Sequence, residues 1–271
     1  MQLVNANGLN FVVEIAGKGE PLLFLGGTGS DLRKKPNPLD SVLAQYFTVL
    51  MFDQRGMGQS DKPVGPYSMA DYANDAAAIL DFFGWDSAHV AGYSFGGMVA
   101  QELAIRFPEK VRSLSLVVSA AGGEGGSSYP IHEFIDLPPR DAAIKSLEVA
   151  DQSFTRQWRQ DNPLEAQQRI ENTMVNATKF IGEPNALLGL KAQLGARAEH
   201  NTYDRLHLIS APTMVLAGDR DGQAPASIQK IMSDKIPNAV FQVIEGSHYM
   251  IAESEQVFKH IKQHIEGSIN E

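Results

Sequence analysis

His89-Val90-Ala91-Gly92-Tyr93-Ser94-Phe95-Gly96-Gly97-Met98 passes from an apolar strand into a helix, with one serine at the bend between two glycines. Gly92-x-Ser94-x-Gly96 has the spacing of a nucleophile elbow, a turn so sharp that its serine takes a strained backbone conformation. Side chains two residues either side of the serine would collide with the turn, so glycine is favoured at both places. The bend lifts the Ser94 hydroxyl clear of the sheet. It also leaves the backbone N–H of Phe95 in the first turn of a helix, aimed at a developing oxyanion.

Working outward, residues 10–16, 21–25 and 48–53 read as short strands rich in Val, Ile, Leu and Phe. A short helix is expected over 38–46. Ser68-Met69-Ala70-Asp71 can cap a helix running to about Phe83. Beyond the elbow strand (88–93) and helix (95–107), which Pro108 stops, comes a strand over 111–119. Strands alternating with helices imply a parallel sheet with helices on both faces, an α/β fold. The alternation breaks at residues 120–128, where the glycine run predicts a flexible loop. Residues 129–200 are rich in Ala, Gln, Leu, Arg and Glu and read as several short helices. Alternation resumes with a strand at 212–218, a helix at 224–235, a strand at 239–245 and an amphipathic helix at 253–265. The expected organisation is a core of residues 1–121 and 201–271 interrupted by a helical insertion, 122–200.

The 271 residues are 43% hydrophobic and 20% charged, an ordinary soluble composition. A formal charge of −9 disfavours nucleic acid or an anionic membrane as partner. With no cysteine, disulfides, thiolate metal sites and cysteine nucleophiles are all excluded. The first residues lack the basic and apolar regions of a signal peptide, and no apolar run approaches the roughly 20 residues of a membrane helix. The expectation is a soluble, cytoplasmic protein. The sequence does not set its oligomeric state.

A serine elbow needs a base and a group that orients the base. In an open parallel sheet both come from loops at the carboxyl ends of strands. Two later loops qualify: Gly218-Asp219-Arg220-Asp221-Gly222-Gln223-Ala224-Pro225, with two candidate acids, and Gly246-Ser247-His248-Tyr249-Met250. Chain order is therefore Ser, Asp, His. Of the seven histidines, His260 and His264 lie four apart on the last helix, but no third metal ligand accompanies them, and no metal site is expected. Phe154 and Trp158, four apart on one helical face of the insertion, are the residues there expected to touch substrate.

These motifs resemble the α/β-hydrolase family, and the resemblance spans nearly all of both core segments. Asp53-Gln54-Arg55-Gly56-Met57-Gly58-Gln59-Ser60 is similar to that family's D-x-R-G-x-G-x-S loop. Gly218-x-x-Asp221-x-x-x-Pro225 and His248-x-x-x-x-Glu253 resemble its acid and base motifs. The resemblance implies a mostly parallel eight-stranded sheet flanked by helices, with the helical insertion as a cap. It selects Asp221 over Asp219 as the acid, with Glu124 as an outside candidate, and His248 as the base. Leu25-Gly26-Gly27-Thr28 resembles the family's H-G-x segment, which makes the Thr28 N–H the second oxyanion donor beside Phe95. Gly26 stands where the family usually has a histidine that braces this loop. The function implied is cofactor-free hydrolysis of a carboxylic ester or lactone, an N-acyl-homoserine lactone among them, by the Ser94–His248–Asp221 triad. Carbon–carbon bond hydrolases and perhydrolases share that triad, and slow-turnover ligand receptors share the fold.

Overall fold

The computed structural model describes residues 1–269. Its strands, in chain order, are β1 (Gln2–Ala6), β2 (Leu9–Ala16), β3 (Glu20–Leu25), β4 (Phe47–Phe52), β5 (Ala88–Tyr93), β6 (Val111–Val117), β7 (Thr213–Gly218) and β8 (Val240–Ile244). Its helices are α1 (Met69–Phe82), α2 (Phe95–Arg106), α3 (Pro139–Ala150), α4 (Arg156–Asp161), α5 (Pro163–Thr178), α6 (Ala186–Ala198), α7 (Ala226–Lys235), α8 (Met250–Glu253) and α9 (Gln256–Ile269). The strands form one sheet ordered β1-β2-β4-β3-β5-β6-β7-β8. The β1–β2 and β2–β4 pairings are antiparallel, and the remaining five are parallel.

Successive strand residues point to opposite faces, so the continuous apolar runs of the central strands feed two cores at once. Leu23 and Leu25 of β3 join one cluster, and Leu22 and Phe24 join the other; Val90 and Ala91 of β5 divide the same way. The first cluster is closed by Tyr72 and Ile79 of α1 and Val99 and Leu103 of α2, the second by Val257, Ile261 and Ile265 of α9. Helix α1 begins where expected because Ser68 and Asp71 form a reciprocal capping box.

Three local expectations are corrected and one strand is added. The expected helix at 38–46 is two 3₁₀ turns, Pro38–Asp40 and Val42–Gln45, because Ser41 ends the first and its hydroxyl caps the second. The expected terminal helix is split at Ser254, which is extended and accepts the Gln256 N–H. Strand β1 was not anticipated: it offers only Val4 and Ala6 to the core and exposes Leu3. Its signal was the hairpin turn, Asn7-Gly8, both with positive φ. The glycine run at 120–128 is an ordered turn: Gly122 donates to the Gly126 carbonyl and bridges Asn201.

Helices α3–α6 form the insertion that separates β6 from β7 in the chain. Within it Ala143, Leu147, Phe154, Ala166 and Ile170 make a third, small core. Helix α6 crosses the carboxyl ends of the strands in sheet order. Gly189 packs on Gly56 after β4, Gln193 accepts the Gly29 N–H after β3, and Arg197 bonds Ser128 and Tyr129 after β6. Strand β5 lies between β3 and β6, so the segment from Gln193 to Arg197 spans the end of β5, where Ser94 stands.

Candidate active site

Ser94 follows β5 directly and precedes the first residue of α2, with φ 53° and ψ −114°. An L-residue reaches that conformation only when its surroundings over-determine it. Here the Ser94 N–H bonds the Val117 carbonyl at 2.9 Å, and the Ser119 hydroxyl donates to the Ser94 carbonyl at 3.0 Å. The flanking glycines are required by close approach. A Cβ on Gly92 would sit 2.4 Å from the Gly96 carbonyl oxygen, and one on Gly96 would sit 2.0 Å from that of Leu25. The elbow and the loop after β3 therefore meet backbone to backbone.

Three side chains from three loops converge. Ser94 Oγ lies 2.8 Å from His248 Nε2, and His248 Nδ1 lies 2.8 Å from Asp221 Oδ2. Ser94, His248 and Asp221 are all buried, at 5%, 4% and 2% exposure. The second Asp221 oxygen accepts the N–H groups of Gln223 and Ala224, at 2.8 and 2.9 Å. With both oxygens engaged, Asp221 is held as an acceptor and fixes the proton of neutral His248 on Nδ1. That leaves the Nε2 lone pair facing Ser94. The His248 loop is anchored by its backbone: the His248 N–H bonds the Ala150 carbonyl at 2.8 Å, and the Tyr93 hydroxyl donates to the His248 carbonyl. Glu253 accepts the Ser247 hydroxyl at 2.6 Å.

The rival acids stand elsewhere. Asp219 accepts the Gly246 N–H at 2.9 Å, and Glu124 is exposed on a 3₁₀ turn. Among the described residues no group of three His, Asp or Glu side chains could hold a metal ion.

Phe95 begins α2, so its N–H is one of the four that a helix leaves without an intrahelical acceptor. Thr28 lies in the loop after β3, which is held although Gly26 cannot brace it as a histidine would. Gln54 donates to the Gly26 carbonyl at 2.9 Å, Gln193 accepts the Gly29 N–H at 2.8 Å, and Lys34 donates to the Gly29 carbonyl at 3.1 Å. Gln54 comes from the loop after β4. There Asp53 accepts the Leu32 and Gln59 N–H groups, and Arg55 pairs with buried Asp75 at 2.6 Å. Burial pushes the Asp53 carboxyl up to about 6.

Phe154 and Trp158 do not share a helical face. Phe154 precedes α4, whose cap is Thr155, because the Thr155 hydroxyl accepts the Trp158 N–H at 3.1 Å. Phe154 is 1% exposed in the third core, its ring under the Arg169 guanidinium, with the Trp158 ring 5.4 Å away. This cluster reaches the site through Tyr249, the neighbour of His248.

Two residues were missed. The Gln223 amide nitrogen lies 2.7 Å from His248 Nε2, and the residue is 7% exposed. Its signal was a polar side chain inside the acid loop, two residues past Asp221. Arg197 is 5% exposed with no carboxylate partner among the described residues, donating instead to Ser128 Oγ and the Tyr129 carbonyl at 2.7 and 2.9 Å. Burial lowers its guanidinium to about 10. Nothing local in the sequence signalled it.

Comparison with known proteins agrees with this fold. The profile of the alpha/beta hydrolase fold matches residues 20–139. A poly(3-hydroxyalkanoate) depolymerase of Ectopseudomonas oleovorans is 30% identical over 240 residues, covering 88% of this chain and 81% of the relative. The 3-oxoadipate enol-lactonase 2 of Acinetobacter baylyi is 27% identical over 242 residues, covering 88% and 85%. The crystal structure of the enol-lactonase from Burkholderia xenovorans superposes with a TM-score of 0.76 over the whole of both chains, at 19% identity. The chain belongs to the α/β-hydrolase family. No helix among the described residues is long and apolar enough to cross a membrane.

Proposed function

We propose that the protein hydrolyses a carboxylic ester or lactone through an acyl-enzyme on Ser94. The observation that carries this reading is the unbroken chain Ser94 Oγ–His248 Nε2 and His248 Nδ1–Asp221 Oδ2, both links 2.8 Å, on a strained elbow. His248 takes the Ser94 proton as Oγ attacks the carbonyl carbon, and Asp221 stabilises the imidazolium that forms. The N–H groups of Phe95 and Thr28 receive the oxyanion, each contributing about 3–4 kcal/mol in the transition state. The tetrahedral intermediate collapses as His248 returns the proton to the leaving alkoxide. Water, deprotonated by His248, then releases the acid and restores Ser94.

Helices α3–α6 act as the cap over this site, and their apolar cluster, bordered by Tyr249, suits an apolar acyl part. Relatives named as a depolymerase of poly(3-hydroxyalkanoate) and as an enol-lactonase support ester and lactone substrates over other carbonyl compounds. A hydrolysis panel tests the reading: p-nitrophenyl esters, acyl-homoserine lactones of graded chain length and enol-lactones, with Ser94→Ala as control. The expected result is turnover of an ester or lactone that the variant loses. Turnover retained by Ser94→Ala would overturn it.

A further inference from the structure

His248 Nε2 faces two polar groups. Ser94 Oγ is 2.8 Å away and the Gln223 amide nitrogen is 2.7 Å away. With the Nδ1 proton on Asp221, neutral imidazole has one lone pair at Nε2, so hydroxyl and amide share it. Gln223 is fixed by its backbone: its N–H bonds Asp221 at 2.8 Å and its carbonyl accepts the Tyr129 N–H at 2.7 Å. Its amide makes one hydrogen bond among the described residues, the one to His248.

We propose that Gln223 is a positioning residue that follows the proton on His248: its amide N–H serves the neutral imidazole, and its Oε1, after a half-turn of the amide, serves the imidazolium. This rests on His248 being the base for Ser94. When the Ser94 proton moves to Nε2, the acceptor becomes a donor, and an N–H facing it turns repulsive. Among the described residues no second hydrogen bond holds the amide against the rotation that brings Oε1 round. The bond then formed is to a cation, and such bonds are stronger than the neutral one it replaces. The net effect favours protonated His248, which strengthens the base. The other ionisable groups around His248 are Asp221 on the β7 loop, Tyr93 at the end of β5, Tyr249 beside it and Glu253 on α8. Asp151 after α3 is ion-paired with Arg169 and Arg220, and Arg197 of α6 bears on Gln223 through Tyr129. None of them contacts Nε2 among the described residues, so changing Gln223 alters that contact selectively.

The test is the titration midpoint of the His248 ring, followed by NMR in wild type, Gln223→Met and Gln223→Glu, with the resonance assigned by its loss in His248→Gln. Met fills nearly the same volume and offers the imidazole only a weakly accepting thioether; Glu offers strong acceptors alone. The expected order of midpoints is Met, wild type, Glu from low to high, with Met about one pH unit below wild type. The acid limb of kcat/KM on an ester should move the same way. A Met midpoint equal to or above wild type overturns the proposal. The ring titration needs no turnover, so failure of the ester reading is seen separately, as wild-type protein that releases no product. If Met does not fold, a Glu midpoint no higher than wild type is the overturning result.

Discussion

Replacing Ser94 by glycine and by alanine separates what the elbow costs from what its hydroxyl does. Both variants lose the bond from Oγ to His248, so their difference reports the backbone alone. At φ 53° and ψ −114° a Cβ-bearing residue carries strain of about 1–3 kcal/mol. Glycine removes it and loses roughly 0.5–1 kcal/mol to its greater freedom when unfolded. Ser94→Gly should therefore exceed Ser94→Ala in stability by about 1 kcal/mol, the middle of a range of roughly 0–2.5 kcal/mol. In a chain of this size that is a melting temperature roughly 2 °C higher. Calorimetry gives the temperatures, and urea unfolding followed by circular dichroism gives the free energies. A glycine variant less stable than the alanine variant would refute the claim that the fold holds Ser94 against its own preference.

Three further outcomes follow from the surroundings of the site. Gln54→Leu removes the donor to the Gly26 carbonyl, and kcat on an ester should fall at least tenfold while KM changes little; an unchanged kcat would mean that the loop stands without it. Arg55→Met leaves buried Asp75 with the Asn7 amide but no counter-charge and should destabilise the fold by about 3–5 kcal/mol in urea unfolding. His200 is buried, donates to the Ala120 carbonyl at 3.1 Å, and burial lowers it to about 4, below its unfolded value of about 6.5. Its contribution is complete above pH 6.5 and is lost as pH falls towards 4. Wild type should thus lose about 3 kcal/mol more than His200→Gln between those two pH values, measured by urea unfolding at each.

Much of the site was legible because its parts are local. Gly92, Ser94 and Gly96 encode the bend by what cannot fit there, and Asp221 and His248 each follow a strand whose end the apolar pattern marks. What was not legible depends on contacts between distant segments. Gln223 meets His248 across 25 positions, and Gln193 reaches Gly29 across 164; a polar side chain in either place reads alone as surface or loop. The bonds that hold the Gly26–Gly29 loop are of this kind, made by Gln54 and Gln193. Phe154 illustrates the converse. Its burial in the third core follows from how α3 and α5 pack, which no spacing within 129–200 conveys. Strand β1 was missed because three of its five residues face outward, although Asn7-Gly8 announced the hairpin.

The proposed hydrolysis requires Ser94 to be a nucleophile. Titration with a p-nitrophenyl alkylphosphonate, which leaves a stable adduct on an activated serine, tests this directly. The predicted result is one p-nitrophenolate released per chain, with the added mass on Ser94 in the peptide spanning β5 and α2, and no release from Ser94→Ala or His248→Gln. Modification of any other residue, or equal release from Ser94→Ala, would contradict it.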